Sequence, residues 1–278
     1  MNVRPLSDVR WADLRPDDFL LRQRKCPVVY LPFGLCEPHG HVAALGLDTL
    51  KADYYCEEAA RSFGGIVAPT QGYHIHESGF HKPWLDEVVG DTNPLMAGMP
   101  PHVVAYHFLY QLRAFANAGF LAVVGVSGHA GGSQKDLRRV ARHFSSATGI
   151  EVTVRTDPEW GGFEGDHAGA YEISQLLAIH PEAVDLSLAG RMHEPGSGGQ
   201  LALDPTAGEA TKERGLSINE TIIENIGRHV AQLELGKARE NPVSHSETES
   251  IWQAILAEGE WFSNGSGDGG STAAYQDL

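Results

Sequence analysis

Apolar residues along this chain follow two rhythms. Short unbroken runs fit strands buried on both faces, and longer segments with apolar positions every three or four residues fit amphipathic helices. The runs "CPVVYLPFG" (26–34), "GIVAP" (65–69), "FLAVVGV" (120–126) and "IEVTVR" (150–155) predict strands. Helical spacing predicts a helix near 49–63 with Leu50, Tyr54 and Phe63 on its apolar side, stopped at Gly64 and Gly65. A second covers 102–118 through Val104, Phe108, Leu112 and Phe115, and ends at Gly119. A third, opened by Ser133, carries Leu137, Val140, Ala141 and Phe144, and a fourth runs to about Ile179. Two Ser-x-x-Glu patterns, Ser217 with Glu220 and Ser246 with Glu249, predict capped starts of later helices. Strands alternating with helices predict a mainly parallel sheet covered on both faces, with "FLAVVGV" as a central strand.

In such a sheet ligands bind at the C-terminal edge of the strands. Three loops fall there: "GLCEPHGHVAALGLD" (34–48), "SGHAGGS" (127–133) and "TDPEWGGFEGDHAGAYEIS" (156–174). The irregular stretch from Tyr73 to Pro101 is too long for a plain connector and predicts a functional loop. From Ser263 the chain is small and polar, so residues 1–262 are expected to form one domain and 263–278 a flexible tail.

Charge narrows the function. A formal net charge of −15 with no basic block excludes a nucleic-acid partner, which needs clustered Lys and Arg. No apolar run approaches the ~18 to 20 residues that cross a bilayer. The start lacks a secretory pattern, and the three cysteines form no C-x-x-C pair, so a cytoplasmic location is expected.

Glu37, His39, His41 and Asp48 crowd one short loop. Singly, Asp48 reads as a helix cap, Glu37 as a solvated acid and His39 as a turn residue. Together they read differently. Glu37 and His39 alternate by two and point the same way from extended backbone, and Asp48 joins from the helix start. A carboxylate there can bridge two cations roughly 3.5 to 4 Å apart, which make a water nucleophilic at neutral pH. His129 among glycines is either a turn histidine or a residue whose neighbours let backbone pass close to a metal. His167 and Glu172 are either an ordinary helix-start pair or further members of the site; an acid beside Ile173, Leu176 and Leu177 needs a cation partner. A serine hydrolase elbow fails because His129 stands where G-x-S-x-G requires glycine, and "GGFEGDHAG" does not follow a strand with dinucleotide-binding spacing.

The segments "YLPFGLCEPHGHVAALGLD", "GFLAVVGVSGHAGG" and "DHAGAYEIS", in that order, resemble the creatininase (creatinine amidohydrolase) family. Its motifs run approximately LPxGSxEqHGpHLPlGtD, GFxxxxxxNGHGGN and HAGxxETS, and the resemblance spans about Trp11 to Leu235. It implies a three-layer α/β/α sandwich, two divalent metal ions per subunit and a homo-oligomer, often a hexamer. The matching positions imply metal binding by Glu37, His39, Asp48, His129 and Glu172, and proton transfer by His167. Three carboxylates against two divalent ions leave about one positive charge, suited to an anionic intermediate. Oxygen and imidazole donors without thiolate are compatible with Zn, Mn or Fe.

Departures bear on the substrate. The family's proline after H-G is His41, its next histidine is Val42, and its Leu-Pro pair is Ala43 and Ala44. The asparagines bounding the Gly-rich motif are Ser127 and Gly132, and Gly131 stands where creatininase itself has a Glu. Creatinine is therefore not the expected substrate. The expected activity is metal-dependent hydrolysis at a carbonyl of a small cyclic substrate, a cyclic amide or formamide C–N bond. The alternatives are a C–C bond of a cyclic diketone such as 3-dehydro-scyllo-inosose, or a non-catalytic metal-binding assembly protein. His41, His76, His81 and Trp160 are candidate substrate contacts, with His74, Glu77 and Trp84 nearby in sequence or type.

Overall fold

The computed structural model describes residues 8–76, 96–131, 134–193 and 204–264. A four-stranded parallel sheet lies at its centre, ordered β2-β1-β5-β6. These strands are β1 (Val28–Phe33), β2 (Ile66–Val67), β5 (Ala122–Ser127) and β6 (Glu151–Thr156). Two further short strands, β3 (His74–Ile75) and β4 (Gly98–Met99), pair in parallel as a separate ribbon. Every residue of β1 and β5 is buried, as expected of strands covered on both faces.

Alternate residues of the strands feed two cores. Val29, Leu31, Phe33 and Val123 meet α3 (Pro101–Asn117), α4 (Gln134–Thr148) and α8 (His245–Leu256) through Phe108, Leu112, Val140, Phe144 and Ile251. Val28, Tyr30, Val124 and Val126 meet α2 (Leu47–Phe63) and α7 (Lys212–Gln232) through Tyr55, Cys56, Ile218 and Ile222. This is the three-layer α/β/α arrangement. The remaining α-helices among the described residues are α1 (Pro16–Lys25), α5 (Asp157–Gly161) and α6 (Ala170–Ile179).

Register positions the site. Phe33 pairs with Ser127 and Ser127 with Thr156, so β1, β5 and β6 end level and release their loops at one edge.

Some local expectations are corrected. The buried face of α2 is Leu47, Asp48, Lys51, Ala52, Tyr55, Cys56, Ala59 and Ala60, whereas Phe63 is exposed and Leu50 and Tyr54 are only half-buried. The helix is rotated from the expected stripe because its two buried charged residues have polar partners inside the fold. Ser217 and Ser246 lie inside helices; the caps are Thr211, which accepts from the Arg214 amide, and Ser244, which accepts from the Glu247 amide. Ser-x-x-Glu also occurs at Ser244 to Glu247, and spacing alone cannot choose between overlapping copies. A complete capping box sits instead at Thr156 and Glu159. Ser133 and 265–278 lie outside the described residues, while Ser263 binds the Asp136 carboxylate through its amide and hydroxyl.

Candidate metal centre

The β1–α2 loop leaves the sheet at Gly34 and turns at Gly40, whose φ of +60° suits glycine. Glu37 is held where its amide donates to the Leu45 carbonyl at 3.0 Å. Asp48 does not cap α2. It lies in the helix's first turn, after Gly46, where the free amide end of the helix favours a carboxylate.

From β5, Gly128 crosses directly over Asp48: a Cβ at Gly128 would fall 2.1 Å from the Asp48 carbonyl oxygen, so only glycine allows this approach. His129 follows immediately. Its carbonyl accepts from the Ser127 hydroxyl and from Gln134 Nε2, both at 2.8 Å, which fixes the backbone that carries the imidazole.

From the third loop, Asp166 caps α6 by accepting from the amides of Gly169, Tyr171 and Glu172. Ala168 is held at a φ of +53°, unusual for a residue with a Cβ, and its amide donates to Glu172 Oε2 at 2.9 Å.

Glu37, His39, Asp48, His129 and Glu172 thereby converge, all at most 8% exposed. Asp48 Oδ1 lies 3.3 Å from His39 Nε2, and Asp48 Oδ2 lies 3.4 Å from His129 Nδ1. Glu37 Oε1 lies 2.9 Å from His129 Nδ1, and Glu172 Oε2 lies 3.7 Å from His39 Nε2. One carboxylate thus stands between two donor groups, Glu37–Asp48–His129 and His39–Asp48–Glu172, each with ligand atoms within 4.8 Å of one another. His167, about 30% exposed, completes a further group with Glu37 and His39; its Nδ1 is 4.0 Å from Glu37 Oε1.

The donor chemistry fits divalent cations. His39 Nδ1 donates to the Glu37 carbonyl at 3.0 Å, which turns the lone pair of Nε2 toward the carboxylates. His39 Nε2 and both Asp48 oxygens are buried without a well-formed hydrogen bond among the described residues. Such atoms are costly unless something else satisfies them.

Without a cation the imidazoles carry that charge. Burial disfavours protonated His39, but Asp48, Glu172 and Glu37 outweigh it and raise its pKa to about 9. Burial likewise opposes His129, and Glu37 with Asp48 raises it to about 10. Against its own burial, Asp48 is held well below the usual carboxylate range by His39 and His129.

Beneath this group lies a second one that the sequence did not reveal. Lys51, with no exposed surface, donates to Glu172 Oε1 at 2.8 Å, to Gln175 Oε1 at 3.3 Å and to Asp157 Oδ2 at 3.4 Å. Gln175 Nε2 donates to Asp157 and to the Tyr55 hydroxyl, both at 2.8 Å, and Tyr55 donates to Asn219 at 2.7 Å. A signal was available: Lys51, Tyr55 and Ala59 share one helical stripe, where a solvated lysine does not belong.

His74, expected in the long loop that shapes the substrate pocket, is fully buried. Its Nδ1 accepts from the Ile75 amide at 2.7 Å, and its ring lies 5.5 Å from that of His129. Burial, reinforced by the charge of His129, lowers its pKa to about 3. His76 places its ring 6.3 Å from His129. His41 is half-buried, and its Nε2 has no hydrogen-bond partner among the described residues. His81, Glu77 and Trp84 lie outside the described residues. Trp160 departs from the expected pocket wall: only 2% exposed, it packs in the core with Ile218 and Ile222 and between Arg155 and His229.

The creatininase family model, described as creatinine amidohydrolase, matches residues 12–230. This chain belongs to the creatininase family. It is 26% identical over 184 residues to a creatinine amidohydrolase of Pseudomonas putida, an alignment spanning 57% of this chain and 66%, just under two thirds, of that relative. A crystal structure of creatininase matches the fold with a TM-score of 0.67 at 20% identity, covering 81% of this chain and 97% of that one. A mutant creatininase described as a Zn–Zn type matches with a TM-score of 0.66 at 20% identity, covering 81% and 98%. At Gly131 a Cβ would lie 2.7 Å from His129 Nε2, so any side chain at 131 would press on that imidazole.

Proposed function

We propose that this family member is a metal-dependent hydrolase acting at a carbonyl of a small cyclic substrate, with a cyclic amide or formamide C–N bond as the bond cleaved. The observation that carries the reading is Asp48, whose two buried oxygens face two different imidazoles and form no well-aligned hydrogen bond among the described residues. Glu37, Asp48 and His129 would hold one divalent ion and His39, Asp48 and Glu172 the other; the Zn–Zn form of the related creatininase supports two. Ions held there supply Lewis acidity toward a carbonyl oxygen and a water of lowered pKa. His167 is the most exposed member of the group and is assigned to carry a proton to the leaving group. His39 and His129 serve as neutral donors, their orientation set by the Glu37 carbonyl and by the anchored 127–129 backbone.

The imidazoles of His74 and His76 near His129 favour a polar substrate, and they keep a second reading in view: hydrolysis of a C–C bond between carbonyls in a polyol-derived ring. A panel of lactams, formamides and cyclic diketo-sugars, assayed with metal content on the same chelator-free preparation, tests both. Turnover of one class with close to two ions per chain is expected. Metal well below one ion per chain would end the hydrolase reading. His167→Gln should lower kcat by about 10²-fold with metal content unchanged.

A further inference from the structure

Lys51 lies within hydrogen-bonding distance of an oxygen of Glu172, on the side of that carboxylate away from His39. Glu172 Oε1 meets the ammonium at 2.8 Å, while Oε2 is left to the Ala168 amide and to His39. Among the described residues nothing comparable faces the other donor group. The charged groups around Glu37 are the imidazoles of His129 and His167 and the Asp48 carboxylate. An imidazole gives up its proton when a cation arrives, but a lysine paired with two buried carboxylates keeps its charge. Two donor groups of similar composition therefore present different net charge to an ion. Building on the dinuclear reading above, we infer that Lys51, by matching the charge of Glu172, makes His39–Asp48–Glu172 the weaker of the two cation positions. Asp157 tempers this effect by drawing on the same ammonium.

The geometry gives two variants opposite signs. Lys51→Met frees the charge of Glu172 and should strengthen the weaker position. Asp157→Asn removes the competing acid 3.4 Å from Lys51, turns the ammonium wholly to Glu172 and should weaken it further. The double variant Lys51→Met/Asp157→Asn removes the pair together, avoids two uncompensated buried acids, and should behave like Lys51→Met.

The test is stepwise Co(II) titration of the full-length, metal-stripped chain at pH 8, followed by visible absorption and calorimetry. Wild type should show two steps of unequal affinity. Lys51→Met or the double variant should narrow the gap, and Asp157→Asn should widen it, each on the order of tenfold. If Lys51 only braced the fold, both single variants would bind more weakly, and that result overturns the inference. So does a wild type with two equal steps. Fewer than two ions bound by the wild type would instead overturn the dinuclear reading, and the inference with it.

Discussion

Asp48 and Lys51 stand one turn apart on α2, both without exposed surface, in opposite surroundings. Both oxygens of Asp48 face imidazoles at 3.3 and 3.4 Å but form no well-aligned hydrogen bond among the described residues. Lys51 meets three acceptors, and beyond it Gln175, Tyr55 and Asn219 close a chain of hydrogen bonds; Asp157 Oδ1 is left over. Burial is the same in both regions, so burial does not mark the site. The convergence of ligand atoms without well-formed hydrogen bonds does: the network around Lys51 is satisfied but for one Asp157 oxygen and stabilises the fold, whereas the carboxylates and imidazoles around Asp48 converge as donors suited to a cation.

That contrast can be broken from either side. The largest effect is expected for Asp48→Asn, which keeps size and removes charge. Turnover should fall by more than about 10²-fold, and metal content should drop below two ions per chain. Full activity in this variant would deny Asp48 a bridging role.

Metal removal comes next. In the stripped protein His39 and His129 have folded pKa values of about 9 and 10 against 6.5 unfolded. A raised folded pKa gives stability that is complete below about 6.5 and lost as pH rises through 9 to 10. The depressed Glu37 and Asp48 work the other way, lending stability above their ordinary values of 4.5 and 3.8 and losing it in acid. The stripped chain should therefore weaken from pH 6.5 to 10. Cation binding, which needs neutral imidazoles, should tighten over the same range. Thermal melts with and without Zn should diverge as pH rises; a constant difference would contradict the charge assignment.

The smallest effect is expected below Glu172. Tyr55→Phe removes one donated and one accepted hydrogen bond in the network around Lys51 and should cost about 1 to 3 kcal/mol in denaturant unfolding. Metal content should stay near two ions per chain. A loss of metal here would show that the two regions are not separable.

Much of the scaffold was legible because backbone and burial agreed. The runs at β1 and β5 are apolar on both faces and became central strands, and Gly64 and Gly119 ended helices with φ near +90°. Glu37, His39 and Asp48 were legible as a group because their spacing is local. Lys51 was not, since a lysine in a helix ordinarily reads as solvated and its acceptors, Glu172 and Asp157, lie more than a hundred residues away. Trp160, expected as a pocket wall, has its ring in the core cluster with Ile218 and Ile222, a placement its position in the sequence does not disclose. The cap at Ser244 was hidden by an overlapping copy of the same Ser-x-x-Glu pattern, and Thr211, with Arg214 three residues on, does not carry that pattern at all.

Gly128, which passes within van der Waals reach of the Asp48 backbone, ties the order of assembly to the chemistry. Three of the five proposed ligands are present in a short segment that could emerge and collapse early. They cannot face His129 until β5 has docked beside β1 and slid this glycine over the start of α2. Competence to hold two ions thus requires a parallel pairing distant in sequence, the kind of contact that is slow to form. Metal uptake during refolding would serve as a clock for the closing of the sheet.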